Sequence, residues 1–383
     1  MKILLIPSWY PTEKNKITGS FFQEQAALMV EHGYDIEILY LPNKKINKSS
    51  AFWFIVKNLI NGQFYKYIKL QPAAPRRLLE MVFVLTDWLK LFLKCQEYNA
   101  SYETLLSGNW EPDLIHAQSI VDGGIIAYFL GKKYNKPYAV IEHNVFLLHT
   151  LAPYKQRLVL QVLKEARKVG VVSEHQKKMV LMHQPHCAPV VIWNYANEEI
   201  FTLKRNTTEP FTIITVTYSA PIKDYLTFLF TLKELKNLGH DFRFIIVGID
   251  LTIKEIKTFV MESGLDKVGT FIPSLGRGEI GAMYHKSDIF VSTSIAETFG
   301  VAAREAMLCG LPVVTTACGG IEDSITENTG ITVPIRDYQK LADAIIEIMN
   351  KERIYSPVDI RNFVINQCGK SAFVEKMKTF YTL

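Results

Sequence analysis

The residues best equipped for chemistry lie in one run, Ser294-Ile295-Ala296-Glu297-Thr298-Phe299-Gly300-Val301-Ala302-Ala303-Arg304-Glu305-Ala306-Met307. A strand-like segment at 288–292 precedes it, and a helical pattern opens near Gly300. The pattern delivers Glu297 to the carboxyl end of a strand. It then offers the backbone N–H groups of Thr298, Phe299, Gly300 and Val301 at a helix start, where the helix dipole favours an anion. Gly300 removes a side chain where a phosphate has to come close. Glu305 lies about one and a half turns into the helix, and its carboxylate can accept two hydrogen bonds, as from a pair of ribose hydroxyls. One segment can thereby order a sugar, a diphosphate and a ribose. Two glutamates at this spacing also occur by chance as solvated groups, so the full string, not the spacing, carries the reading.

Elements on both sides must hold this run in place. Short apolar runs at 3–6, 36–41, 114–116, 138–142, 169–172 and 190–193 read as strands, with helical patterns such as 21–31 and 123–133 between them. The second half repeats the scheme. Strands are expected at 211–217, 242–247, 268–272, 289–292, 312–315 and 331–333, and helices at 226–238, 253–263, 300–309 and 339–350. Nearly continuous apolar strands alternating with helices indicate parallel sheets covered on both faces. The expected fold is α/β, with two doubly wound Rossmann-like domains and an interdomain cleft. The polar stretch 197–210 reads as the linker. The domains are therefore expected at 1–196 and 197–370, with a terminal helix at 371–383 that in one reading crosses back to the first domain. In such sheets, ligands bind outside the carboxyl ends of the strands. Architecture alone does not give function, since phosphorylases, epimerases, transferases and binding proteins all use two such domains.

Composition narrows the class. The chain has 383 residues, 48% apolar and 21% charged, which excludes a disordered or low-complexity protein. A net charge of +5 is too small for a dedicated nucleic-acid binder. The charge is uneven, however: residues 41–94 hold ten basic and two acidic residues. Within 51–94, many Phe, Trp, Tyr and Leu residues interleave with Lys and Arg, which fits helices with basic outer faces or a peripheral membrane contact. No apolar run reaches the length of about 18 residues needed to span a bilayer. Five cysteines without a CxxC pair point away from a disulfide framework and toward a cytoplasmic setting, with the inner membrane face as a variant of it.

The 294–307 run resembles the E-x7-E signature of the family-4 retaining glycosyltransferases, in the form E-x-F-G-x4-E-A-M followed by C-G-L-P-V-V at 309–314 and G-G-I at 319–321. The resemblance covers nearly the whole chain and implies the GT-B architecture, of a bacterial polysaccharide or cell-surface glycan type. It makes Gly19, in Thr18-Gly19-Ser20-Phe21-Phe22, the glycine of the loop before the first helix, near the donor diphosphate. Pro112-Asp113-Leu114-Ile115-His116-Ala117-Gln118 is similar to the P-D-x-I-H-x-H strand end, with Gln118 replacing the second His. Ile141-Glu142-His143-Asn144 is similar to the next strand end, and there His143 is expected to contact donor hydroxyls or the acceptor. His116 reads as structural. Val172-Ser173-Glu174 matches V-S-E, and Val191-Ile192-Trp193-Asn194 matches V-I-x-N, with Tyr195 where the family usually has Gly.

The resemblance also places an Arg and a Lys after the first strand of the second domain, where they neutralise the diphosphate. Here Lys223 aligns with the Lys and Tyr218 with the Arg, and a Tyr hydroxyl carries no charge. Ile272, in Ile272-Pro273-Ser274, is expected near the base. The implied reaction is retaining transfer from a nucleoside-diphosphate sugar, UDP-linked in preference to GDP-linked, to a glycan or lipid-linked acceptor. Glu297 and His143 are the expected catalytic residues. The donor set is Gly19, Asn194, Tyr218, Lys223, Ile272, Thr298, Phe299, Gly300, Val301 and Glu305. No metal or other cofactor is expected. His183, His186 and Cys187 lack a further ligand cluster, and Asp35 and Glu37 read as solvent-facing. The alternatives are a non-catalytic sugar-nucleotide-binding relative, which Tyr218 and Tyr195 make plausible, and another GT-B enzyme such as a nucleotide-sugar epimerase.

Overall fold

The computed structural model describes residues 1–13, 18–42, 78–203 and 210–382, with the side chains of 78–83 excepted. Two six-stranded sheets organise them. In the first, β1 (Lys2–Pro7), β2 (Asp35–Ile38), β3 (Leu114–Gln118), β4 (Tyr138–Glu142), β5 (Lys168–Val171) and β6 (Val190–Val191) run in the order β2-β1-β3-β4-β5-β6. In the second, β7 (Thr212–Val216), β8 (Arg243–Val247), β9 (Gly269–Ile272), β10 (Ile289–Ser292), β11 (Val313–Thr316) and β12 (Gly330–Val333) run in the order β12-β11-β10-β7-β8-β9. The second order is that of the Rossmann sheet, and the first follows the flavodoxin-like pattern.

Burial follows from this order. Central strands such as β3, β4 and β10 are buried at every residue, whereas edge strand β2 is mostly exposed. The apolar runs in the sequence are continuous because helices cover both faces. Asp35 and Glu37 lie on exposed β2. In the second sheet, Ile213, Phe244, Ile246 and Val291 join Leu232 and Leu235 of the helix Tyr225–Asn237 and Leu341 and Ile345 of the helix Tyr338–Met349 in one core.

The observed elements differ from the sequence reading in a few informative places. β2 closes at Ile38 because the Leu41 N–H turns away to the Tyr98 hydroxyl, at 3.0 Å. The helix Ile125–Tyr134 is preceded by a π turn, Ile120–Gly124. Gly123 makes that turn possible: a Cβ there would sit 2.5 Å from the Ile6 carbonyl oxygen.

Packing divides the chain into Met1–Gly170 with Val180–Val190, and Val171–Met179 with Val191–Leu383. This grouping differs from a boundary at 196/197. The start of the expected linker is tied to the second unit: Arg361 donates to the Glu198 carbonyl at 2.8 Å and to the Leu308 carbonyl at 2.5 Å, and the Ala196 N–H donates to Cys368 O at 2.9 Å. The terminal helix is Lys370–Tyr381, and it too groups with the second unit.

Residues 51–77 lie outside the described residues. The rest of the basic stretch begins the helix Leu78–Ser107, where Leu89 and Leu91 are buried and Asp87 accepts hydrogen bonds from Tyr154 and Lys155 at 2.7 and 2.9 Å. Among the described residues, no helix is long and apolar enough to cross a membrane.

Candidate active site

In the second sheet, β7 and β10 are parallel neighbours in space although two strands separate them in sequence, so the strand order reverses between them. Loops leaving a sheet at such a point diverge and open a ligand crevice at the carboxyl ends of the strands. The loop after β7 carries Lys223 and the loop after β10 carries Glu297. Backbone contacts staple the two together. The Ile295 N–H donates to Ile222 O at 2.8 Å, and the Thr293 hydroxyl donates to Asp224 O at 3.0 Å.

On that frame, Lys223 Nζ forms an ion pair with Glu297 Oε1, and the Ser294 hydroxyl donates to the same oxygen at 3.0 Å. The two side chains are only 17% and 15% exposed, so the pair is less screened than a surface one. Lys223 Nζ also lies 5.2 Å from the ring centre of Tyr218, which is 55% exposed. Tyr218 therefore holds the lysine by its ring, a cation–π contact, rather than supplying a second charge.

The backbone of Glu297 is fixed just as firmly. Its N–H donates to Cys318 O at 2.7 Å and its carbonyl accepts from Gly320 N–H at 2.8 Å, a parallel bridge. The helix Val301–Leu308 then starts at Gly300, whose φ of +78° is left-handed. A Cβ on Gly300 would meet Ile321 Cγ1 at 2.2 Å, so glycine is required by both torsion and space. Phe299 is buried and contributes only its main chain to the loop, whereas Thr298 and Val301 are partly exposed.

Arg304 locks this loop from below, a role the sequence reading missed. It is fully buried, donates to the carbonyls of Phe299 and Gly320, and reaches Gln367 Oε1 at 3.3 Å. Its guanidinium lies 3.8 Å from the Phe299 ring centre. Burial lowers its pKa to about 10, which leaves it charged at neutral pH. The signal was an arginine beside Glu305 in the string Val301–Leu308, whose other residues are apolar.

Glu305 is buried and paired with Arg277, whose Nε and Nη2 donate to Oε1 at 3.1 and 2.9 Å. Arg277 begins the helix Arg277–His285 and packs 5.2 Å from the Phe201 ring centre. Arg277 stands at the R of an R-x-E string that matches the family over 268–279, but no role was assigned to it, because a basic residue at a helix start opposes the dipole and reads as incidental. Ile272 ends β9 and accepts from the Gly248 N–H at 2.7 Å. Asn194 is buried in the second unit, and Tyr195 packs against Phe373 at 6.0 Å between ring centres.

Two expected residues, Gly19 and His143, belong to the first unit. Gly19 precedes the helix Ser20–Glu31 with φ +79°, and a Cβ there would lie 3.0 Å from the Trp9 carbonyl oxygen. His143 is buried, with its ring edge-on to Phe22 at 4.8 Å. Its Nε2 is hydrogen-bonded to the side-chain amide of Gln118. Gln118, which stands where the resemblance has a second His, is thus a partner of His143. His116 is fully buried on β3, where burial pushes its pKa down to about 3 and keeps it neutral.

Glu142, noted in sequence only as part of a string, organises this corner. Its Oε1 accepts from the N–H groups of His143 and Asn144 at 2.8 and 2.7 Å, and its Oε2 from Ile120 N–H at 2.9 Å. Burial raises its pKa, and these hydrogen bonds work against the rise. The same corner holds Ser119 at φ +71°, a strained torsion for a residue with a side chain. Among the described residues, no group of three or more His, Cys, Asp and Glu side chains is arranged to hold a metal ion.

Comparison with known proteins places this geometry. Residues 197–363 match the family Glycosyl transferases group 1. An uncharacterized glycosyltransferase of Methanocaldococcus jannaschii is 26% identical over 247 residues, 63% of this chain and 67% of that one. The D-inositol 3-phosphate glycosyltransferase of Mycobacteroides abscessus is 34% identical over 95 residues. That match spans 24% of this chain and about a fifth of the relative, 21%. Among solved structures, sucrose-phosphate synthase from Thermosynechococcus elongatus superposes with a TM-score of 0.73 at 19% identity, over 100% of this chain and 98% of the other. Anabaena HepE in complex with UDP gives 0.68 at 16% identity, with both chains fully covered. The fold is thus α/β of the GT-B type, with two parallel sheets.

Proposed function

We propose that this protein, an enzyme of the glycosyltransferase class whose residues 197–363 are a group 1 glycosyltransferase domain, is a retaining transferase. It moves a sugar from a nucleoside-diphosphate sugar, UDP-linked in preference to GDP-linked, to a glycan or lipid-linked acceptor of the bacterial cell-surface type. The observation that carries the reading is the Lys223–Glu297 ion pair beside the Gly300 helix start, at the switch point of the second sheet. Structures of HepE with UDP and with UDP-glucose support a uridine donor.

In this reading the anomeric C–O bond to the diphosphate breaks and a new C–O bond forms to an acceptor oxygen. The acceptor proton passes to the departing phosphate. Negative charge grows on that phosphate, and Lys223 with the amides of 298–301 meets it without reorganising. Binding of the diphosphate draws Lys223 away from Glu297 and frees that carboxylate to orient sugar hydroxyls. Glu305 accepts from the ribose, and Arg277 pairs with its carboxylate inside a buried site. Charge neutralisation by these groups requires no metal. In this proposal His143 of the first unit is the candidate contact for the acceptor, and Gly19 keeps the diphosphate role that the resemblance implies. Tyr218 in place of an arginine removes one charge-assisted contact, worth about 1.5–3 kcal/mol.

The test is nucleotide release by the full chain from UDP- and GDP-sugars, with and without acceptors, followed by proton NMR of the product anomer. Release of UDP with retained configuration is expected. A chain that binds UDP yet turns over no donor with any acceptor is a sugar-nucleotide-binding relative instead.

A further inference from the structure

The Glu297 carboxylate has two partners of unlike kind, and both meet the same oxygen. Oε1 takes the Lys223 ammonium and the Ser294 hydroxyl, the latter at 3.0 Å. The ammonium rides on a flexible four-carbon stem and can follow an anion. The hydroxyl hangs from a single carbon of a residue that is only 3% exposed.

The backbone of Ser294 is fixed without help from the Lys223 side chain. Its carbonyl accepts from the Thr316 hydroxyl at 2.6 Å, and Thr316 is fully buried at the end of β11. On either side of it, the Thr293 hydroxyl donates to Asp224 O at 3.0 Å and the Ile295 N–H donates to Ile222 O at 2.8 Å. The main chain of Glu297 is fixed as well, by its bridge to Gly319. What stays loose is the glutamate side chain itself, whose torsions cost entropy to hold. The serine hydroxyl supplies a hydrogen bond from a point that does not move with them.

Two donors on one oxygen then do different work. On the glycosyltransferase reading, a diphosphate draws Lys223 off Oε1. A carboxylate held by Lys223 alone would follow the ammonium or turn to water at the moment it is needed. With Ser294 still on Oε1, it keeps its place and presents Oε2 to the sugar. We infer that Ser294 is a positioning residue for Glu297, holding the carboxylate in its sugar-orienting pose after Lys223 has left. The inference rests on the glycosyltransferase reading and deepens it.

Nucleotide release by the full chain tests it, with UDP-glucose, UDP-galactose, UDP-N-acetylglucosamine and GDP-mannose as donors and water or an alcohol as acceptor. Ser294→Ala should lower kcat about tenfold or more, the worth of a hydrogen bond to a charged group, and change the donor KM less. UDP has no sugar for Glu297 to orient, so in calorimetry it should bind S294A within about threefold of wild type. In a Glu297→Ala background the same substitution should change kcat by less than about twofold, because the group it positions is gone. Ser294→Cys, whose thiol donates weakly from nearly the same space, should fall between wild type and S294A. A kcat in S294A within about twofold of wild type overturns the inference, as does a loss of UDP affinity as large as the loss of kcat, or an equal loss with and without Glu297. Misfolding of both variants by circular dichroism also overturns it, by assigning the hydroxyl to the fold. Where wild type turns over a donor, these outcomes defeat this inference alone. Where it turns over none, the glycosyltransferase reading fails and this inference falls with it.

Discussion

Lys223 and Glu297 stand 74 residues apart in the chain and share an ion pair, with the Ser294 hydroxyl on the same carboxylate oxygen. Under the proposed function, the cation that would meet the diphosphate and the carboxylate that would orient the sugar neutralise each other. On that reading, a diphosphate donor competes with Glu297 for Lys223.

That competition can be measured. Lys223→Met should raise the donor KM by roughly 10–100-fold, the worth of a charge-assisted contact to phosphate. Glu297→Gln should lower kcat by about a hundredfold or more, while UDP binds as tightly as before or more tightly, because a competitor for Lys223 is gone. Steady-state kinetics and UDP titration on both variants check this. A loss of UDP affinity in E297Q would show that the glutamate assists nucleotide binding instead.

Gly300 permits a sharper structural prediction. Alanine there must adopt φ +78° with its Cβ on Ile321, so G300A should destabilise the second unit by roughly 2–4 kcal/mol. Adding Ile321→Ala should recover the steric part only. Chemical denaturation of the single and double variants reads the two contributions separately.

Arg304 offers a buried charge whose removal leaves acceptors stranded. R304M should cost about 3–5 kcal/mol, since Phe299 O and Gly320 O lose the Arg304 donor, while Gln367 Oε1 is left with the Ser324 hydroxyl. R304K keeps the charge and should lose less. In whichever variant folds, the donor KM should rise more than kcat falls, as the diphosphate loop loses its support.

Glu142 predicts a pH dependence. Its folded pKa is raised above the ordinary value of 4.5, so its favourable contribution is full below that value and is lost as pH rises through the folded one. The melting temperature of the wild type minus that of E142Q should therefore fall as the pH rises above about 4.5. A difference that stays flat or grows over that range would show that the hydrogen bonds from Ile120, His143 and Asn144 outweigh burial.

The sheets were legible because their strands are short, apolar and buried on both sides, a pattern that alternating helices impose on any such chain. The strand ends at Ser292 and Glu142 were visible for the same reason. What the string 294–307 could not reveal was which groups pair when the loops meet. Arg304 and Glu305 are adjacent in sequence, yet one points its guanidinium at Phe299 and Gly320 while the other pairs with Arg277. Such partners are set by long-range closure, not by local spacing. Lys223 was identified through resemblance, but its Glu297 partner and the Tyr218 ring below it emerge only once β7 and β10 lie side by side.

The bridge between Glu297 and Gly319 carries a consequence for how relatives of this chain diverge. The two connections it joins cannot change length independently, because an insertion in one would slide the carboxylate out of register with the other. Gly320 adds a second restriction, since a Cβ there would strike the Thr298 carbonyl oxygen at 2.0 Å. Variation in sugar preference must then arise from side chains around a rigid seam, and lengthened or shortened loops should be found at other rims of the sheet.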